Sequence, residues 1–197
     1  MAAAAPTRRA PGRLALPVAA VLTVAAVRGL DDDLVLELPF VAALTALAAI
    51  DLEHRLLPNR IVYPLAAWGL GATLLVERDD LVEHLIAGTG AFLVLYLAAL
   101  AHPAGMGMGD VKLAGAMGVY LGAAVVPALL VAFVSGTVVG VAIVLRDGAA
   151  ALKSTLPFGV FLALGGLVGV LAGAELIELY DGAFVREVAA GRATSRE

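Results

Sequence analysis

Apolar runs of about twenty residues, each cut off by a small cluster of charges, leave this chain few ways to fold. An α-helix needs about 20 apolar residues, within a range of about 17–25, to cross a bilayer. The candidate spans begin with residues 14–30, closed by Arg28 and then Asp31, Asp32 and Asp33. Residues 34–50 follow, ending at Asp51; then 61–76, closed by Glu77, Arg78, Asp79 and Asp80; then 81–101, closed by His102 and Pro103. The run 111–145 is too long for one span, and Gly122 and Pro127 divide it into a short helix and a full one that ends before Arg146. Residues 156–173 form the last candidate. The expected fold is all-α: a polytopic transmembrane helical bundle of seven spans. The count falls to six if 14–30 is cleaved or if 111–145 is one bent helix.

Composition agrees. Of 197 residues, 61% are hydrophobic and 15% charged, against about 45–50% and about 25% in a soluble domain. The chain reads as a multi-pass integral membrane protein with room for one bundle. The division expected is a disordered, Ala/Pro/Arg-rich stretch at 1–13, a membrane domain at 14–175 and a tail at 176–197. The start of that tail carries apolar residues at helical spacing and reads as an interfacial helix. A net charge of −4 gives no basic footprint for nucleic acid. The chain has no cysteine, which excludes disulfides, thiolate-bound zinc and thiol catalysis. Three scattered histidines make no metal site, and no phosphate-cradling loop is present. No cofactor and no metal are expected.

Basic residues orient the bundle. Arg8, Arg9 and Arg13 precede the first span, Arg55 and Arg60 lie in the second loop, Lys112 begins the short helix, and Arg146 and Lys153 lie in the sixth loop. Acidic clusters fill the intervening loops. The positive-inside rule makes the first set cytoplasmic, which seven spans with the N-terminus inside satisfy. The tail arginines Arg186, Arg192 and Arg196 would then lie outside, against the rule. This topology puts Asp51 and Asp110 on the same, cytoplasmic side.

Those two aspartates carry the chemistry. A carboxylate costs roughly 2.5–3.5 kcal/mol at the centre of a membrane helix on insertion scales, so one at the edge of an apolar run needs a reason. Asp51 ends its run and is followed by Pro58 and Asn59, a helix stop and a turn former. It sits where a span leaves the hydrocarbon, near water yet shielded. Asp110 follows Gly105, Gly107 and Gly109, which alternate with methionines. Those glycines let another chain approach closely, and the helix that starts there favours a carboxylate at its N-terminus. Two carboxylates brought together can share one proton and activate water, as in aspartic proteases. Lys112 either holds a carbonyl or carboxylate or anchors its helix at the headgroups, with anchoring favoured. Glu53 and His54 read as solvated, His84 and His102 as structural. Gly88, Gly90, Gly136, Gly140, Gly165, Gly166 and Gly169 read as helix packing points.

The combined pattern resembles the type IV prepilin peptidases, a branch of the Gly-x-Gly-Asp intramembrane aspartic proteases. Members carry an Asp followed seven residues later by Pro and then Asn or Asp, here Asp51 with Pro58-Asn59. They carry Gly-x-Gly-Asp-x-Lys-Leu, here Gly107 to Leu113 with Asp110 and Lys112 in place. They also carry a late Pro-Phe-Gly, here Pro157-Phe158-Gly159. The resemblance implies a metal-free peptidase of the inner (cytoplasmic) membrane. It would cut the short basic leader from precursors of type IV pilins and pseudopilins on the cytoplasmic side. Asp51 and Asp110 would be the catalytic pair. Gly107, Gly109, Lys112, Pro58, Asn59, Pro157, Phe158 and Gly159 would bind substrate or shape the loops. Many relatives add a cytoplasmic domain with zinc-binding cysteine pairs and methylate the new N-terminus. Without cysteine, this chain is expected to cleave without methylating. Val160 stands where many relatives have a second proline.

Two other readings compete. A proton- or cation-coupled carrier would also place aspartates in a membrane, but the inverted repeats that mark many carriers are not evident. A non-catalytic scaffold would have no need of both aspartates and the full glycine string.

Overall fold

The structure, a computed structural model, describes residues 19, 21–24, 26, 34–76, 78–103, 105–148 and 156–194, and every regular element among them is a helix. Helix α1 covers Leu34–His54 and α2 covers Asn59–Val76. A 3-10 turn at Arg78–Asp80 leads into α3, Leu81–Ala101. The short α4, Met108–Leu121, passes through a 3-10 turn at Gly122–Ala124 into α5, Val125–Asp147. Helix α6 runs over Phe158–Thr194.

The helix limits follow local chemistry. The residue before a proline is pushed toward extended backbone, so the chain leaves α1 before Pro58. The Pro58 carbonyl then accepts the N–H groups of Ile61 (2.9 Å) and Val62 (3.2 Å), starting α2. Helix α4 stops at Gly122, whose φ of 56° is left-handed and whose N–H returns to the Gly118 carbonyl. Pro127 lies in the first turn of α5, where no intrahelical donor is lost.

Helix α4 is the hub, packed on α2, α3 and α6 and touching α5. Val111, Leu113, Ala114, Ala116, Met117 and Gly118 on it are buried. Small residues let its neighbours close in. A Cβ on Gly118 would lie 2.6 Å from the Gly88 Cα and 2.7 Å from the Ala87 carbonyl oxygen of α3. On the far side, Gly165 of α6 meets the Ala128 carbonyl of α5, and Gly166 meets Leu44 of α1. Phe40 of α1 stacks on Tyr120 of α4, ring centroids 4.0 Å apart. Away from the aspartates, His84 Nδ1 lies 2.9 Å from the Val119 carbonyl oxygen and 3.2 Å from the Thr73 hydroxyl, tying α3, α4 and α2 together. The structural role expected for His84 is the one seen.

The outer faces are apolar. Leu75, Ile86, Val126 and Leu145 are more than half exposed. Continuous apolar surface of this kind belongs against lipid or a partner rather than water. The stretches Arg78–Ala101 and Met108–Arg146 are long and apolar enough to cross a membrane, and Phe158–Gly173 is a shorter apolar helix.

Against the expected spans, 81–101 matches α3 residue for residue, and the long run divides at Gly122 as read. Helix α1 continues four residues past the apolar run, to His54, so Asp51 stands in its last turn. Helix α6 continues from Phe158 to Thr194 without interruption, across the boundary expected between membrane domain and tail. Gly90 is also corrected, since a Cβ there would meet nothing within 4 Å and it is no packing point. Most of the first candidate span and all of residues 1–13 lie outside the described residues; within that span, residues 19, 21–24 and 26 are helical.

The contrast between two glycines is testable. Gly118→Ala drives a methyl into the α3 backbone and is expected to cost about 1–3 kcal/mol. Gly90→Ala, in open space, is expected to be neutral or slightly stabilising. Unfolding temperatures of the two variants in the same detergent check this.

Candidate active site

Three helix ends converge on the aspartates. Asp51 comes from the C-terminal turn of α1, Asp110 from the first turn of α4, and the N-terminus of α6 closes the third side. The wedge between them is Leu57, 8% exposed in the loop after α1. A Cβ on Gly109 would lie 2.9 Å from the Leu57 Cβ, and one on Gly159 would lie 3.0 Å from its Cδ2. The glycines at both helix starts therefore admit the same leucine. Leu57 was not singled out in the sequence, although an apolar residue directly before Pro58 was there to be noticed.

Asp110 is the third residue of α4. Its Oδ2 accepts the Gly107 N–H at 3.3 Å, while its own N–H donates to the Gly107 carbonyl at 3.1 Å. This is the acidic half of a capping box, and Gly107, extended at φ −81° and ψ 148°, is the cap. Asp51 meets the start of α6, where the amides of Gly159 and Val160 approach its carboxylate. Gly159 is needed for that approach, because a Cβ there would stand 2.8 Å from Asp51 Oδ2. A helix N-terminus is a favourable place for a carboxylate. The Val160 amide is available to any residue but proline, which carries no N–H, and no side-chain pattern encodes its approach to Asp51.

Both carboxylates are buried, Asp51 at 5% and Asp110 at 9% exposure. Each keeps one oxygen without a hydrogen-bond partner among the described residues, Oδ2 of Asp51 and Oδ1 of Asp110. Buried polar atoms are rarely left so. The two groups are near enough for the charge on Asp51 to act on Asp110.

Two cavities flank the pair, and both aspartates line both of them. One, about 260 Å³, is walled by Met106, Gly107, Pro157 and Phe158. The other, about 290 Å³, is walled by Leu57, Asn59, Gly109 and Lys112. Arg55 borders each. All ten candidate site residues thus fall at or beside one place. Pro58 shapes the start of α2, and Phe158 packs on Phe133 with centroids 5.5 Å apart. The Lys112 Nζ donates to Asn59 Oδ1 at 3.1 Å and sits 5.3 Å from the centre of the Tyr63 ring. It ties α4 to α2 beside the aspartates. Glu53 and His54 are exposed and pair with each other at 3.6 Å, as solvated residues do.

Comparison with known proteins points the same way. The family model described as the type IV leader peptidase family matches residues 38–144. The leader peptidase HopD of Escherichia coli is 37% identical over 143 residues, covering 66% of this chain and 91% of that protein. The prepilin leader peptidase/N-methyltransferase of Aeromonas salmonicida is 34% identical over 143 residues, covering 70% of this chain and 49% of the relative. The enzyme of the same name from Dichelobacter nodosus is 34% identical over 149 residues, covering 73% and 50%. The chain thus spans about half the length of these two bifunctional relatives. No solved structure matches the chain significantly. The matched stretch includes both aspartates and the whole of the hub helix α4, and on that ground the chain belongs to the type IV leader peptidase family.

Proposed function

We propose that this protein is an intramembrane aspartic endopeptidase. It removes the basic leader from type IV prepilin or pseudopilin-like precursors at the cytoplasmic face of the inner membrane, and Asp51 and Asp110 are its catalytic pair. The observation that carries the reading is the convergence of two buried carboxylates, each with an oxygen that has no partner among the described residues, between two cavities. The family and the names of its members supply the substrate class.

In the reaction, one aspartate is ionised and takes a proton from water as the water oxygen attacks the scissile carbonyl carbon. The other, protonated, donates a hydrogen bond to the carbonyl oxygen. The tetrahedral intermediate collapses as a proton passes to the leaving amine, giving a new carboxyl end on the leader and a new amine on the mature chain. Water must reach the pair, and cavities at the ends of three helices suit that need. The bundle is read as six or seven spans with the basic loops inside. Cleavage without N-methylation rests on the absence of cysteine.

The decisive experiment is cleavage of a peptide with a basic leader and an apolar helix by the purified protein in detergent or lipid. Asp51→Ala and Asp110→Ala are each expected to lower kcat/KM by about 10²–10⁴-fold or more while unfolding as sharply as wild type. Full activity in either variant would sink the assignment. Gly159→Ala is expected to push on Asp51 and Leu57 and to lower kcat by between about tenfold and a hundredfold, with KM nearly unchanged. Steady-state kinetics on the same peptide read that split.

A further inference from the structure

Helices α4 and α6, whose starts bear on the aspartates, both carry glycine as their second residue, Gly109 and Gly159. One side chain accounts for both. A Cβ on Gly109 would lie 2.9 Å from the Leu57 Cβ and 3.6 Å from its Cδ1. A Cβ on Gly159 would lie 3.0 Å from the Leu57 Cδ2. The two methyl arms of a single leucine therefore face two helix starts, one each.

Leu57 has little freedom to move away. It lies in the link 55–58 between α1 and α2, and that link is tied at both ends. The Arg55 N–H closes α1 on the Asp51 carbonyl at 2.8 Å, and the Pro58 carbonyl accepts the first N–H groups of α2. A proline also pushes the residue before it toward extended backbone. Successive side chains of an extended chain point opposite ways, and here Leu56 is exposed while Leu57 is buried.

Each helix start that Leu57 touches also governs one carboxylate. Gly109 directly precedes Asp110, and the Cβ position of Gly159 is 2.8 Å from Asp51 Oδ2. A shift of either start against the leucine moves one carboxylate relative to the other. Two carboxylates that must reach one water and one carbonyl tolerate little of that, since a misplacement of about 1 Å can cost about 10²-fold in rate.

Resting on the peptidase reading, we propose that Leu57 is a positioning residue: its forked side chain holds the starts of α4 and α6 apart and so sets the gap between Asp51 and Asp110. A leucine that only filled space in the core would affect melting and leave the geometry of the pair alone.

The test uses the full chain in detergent or lipid with Leu57→Met, Leu57→Ala, Gly159→Ala and the double variant Leu57→Ala/Gly159→Ala. Methionine keeps the volume without the fork. Leu57→Met is therefore expected to melt close to wild type and to lower kcat about tenfold, with KM nearly unchanged. Wild-type kcat in that variant overturns the proposal. Removing the leucine arms makes room for the methyl of Gly159→Ala. The double variant is expected to turn over at least about threefold faster than Gly159→Ala alone, as contacting residues are non-additive. Losses that simply multiply overturn the proposal as well. A third readout needs no substrate: crystals grown from lipid give the Asp51–Asp110 separation in wild type and in Leu57→Ala, or in Leu57→Met should the alanine variant not fold. The start of α6 is expected to move toward the vacated space and the separation to change. An unchanged separation overturns the proposal whether or not peptide is cut. A changed separation in a protein whose wild type cuts nothing supports the placement of Leu57 and overturns the peptidase reading instead.

Discussion

Close approach of backbones around α4 is the constraint on which the rest of the structure depends. Between segments in lipid there is little hydrophobic driving force, so helices associate through packing, and small residues allow the tightest packing. Gly118 against Gly88 and Gly115 against Phe92 bring α3 onto α4, while Gly165 and Gly166 bring α6 onto α5 and α1. With α4 gripped on several sides, its N-terminus has one position, and Asp110 with it. The Phe40–Tyr120 stack then locks α1, which carries Asp51, to the same helix.

The site follows from that framework by a simple economy of backbone groups. Helix starts present unpaired N–H groups, and this fold aims two of them at two carboxylates. Helix α4 satisfies Asp110 from within, through Gly107, whereas α6 approaches Asp51 from across the bundle through Gly159 and Val160. Leu57 fills the gap among the three helix ends and keeps them from collapsing onto one another. Buried carboxylates with spare acceptor positions are costly to keep, and the catalysis on water proposed for them would account for the cost. Membership of the type IV leader peptidase family accords with that proposal.

Much of the site was legible in the linear chain because its motifs are local. Asp51 to Asn59 and Gly107 to Lys112 each fit within two or three turns, so spacing alone indicated a helix end and a helix start. The bond of Lys112 to Asn59 was not legible, because the two are 53 residues apart and no local pattern encodes it. Gly90 was misjudged for a related reason: a glycine in a helix looks the same whether it meets a neighbour or open space. The continuity of α6 across the expected end of the last span was not legible either. A polar, charged stretch can continue a helix beyond an apolar one, and composition marks the change of solvent rather than the end of the helix.

The sequence by itself determined that the chain folds as helices with apolar faces, where most of those helices begin and end, and which two carboxylates stand at helix ends that can meet. Run length, proline and glycine are read one residue at a time along the backbone, and they act through local sterics and transfer energy. Only the tertiary structure decided that Leu57 lies between Gly109 and Gly159, that the amides of α6 meet Asp51, and that Arg55 borders both cavities. Those relations join residues 50 or more positions apart, and they exist only once helix packing has brought three helix ends to one point.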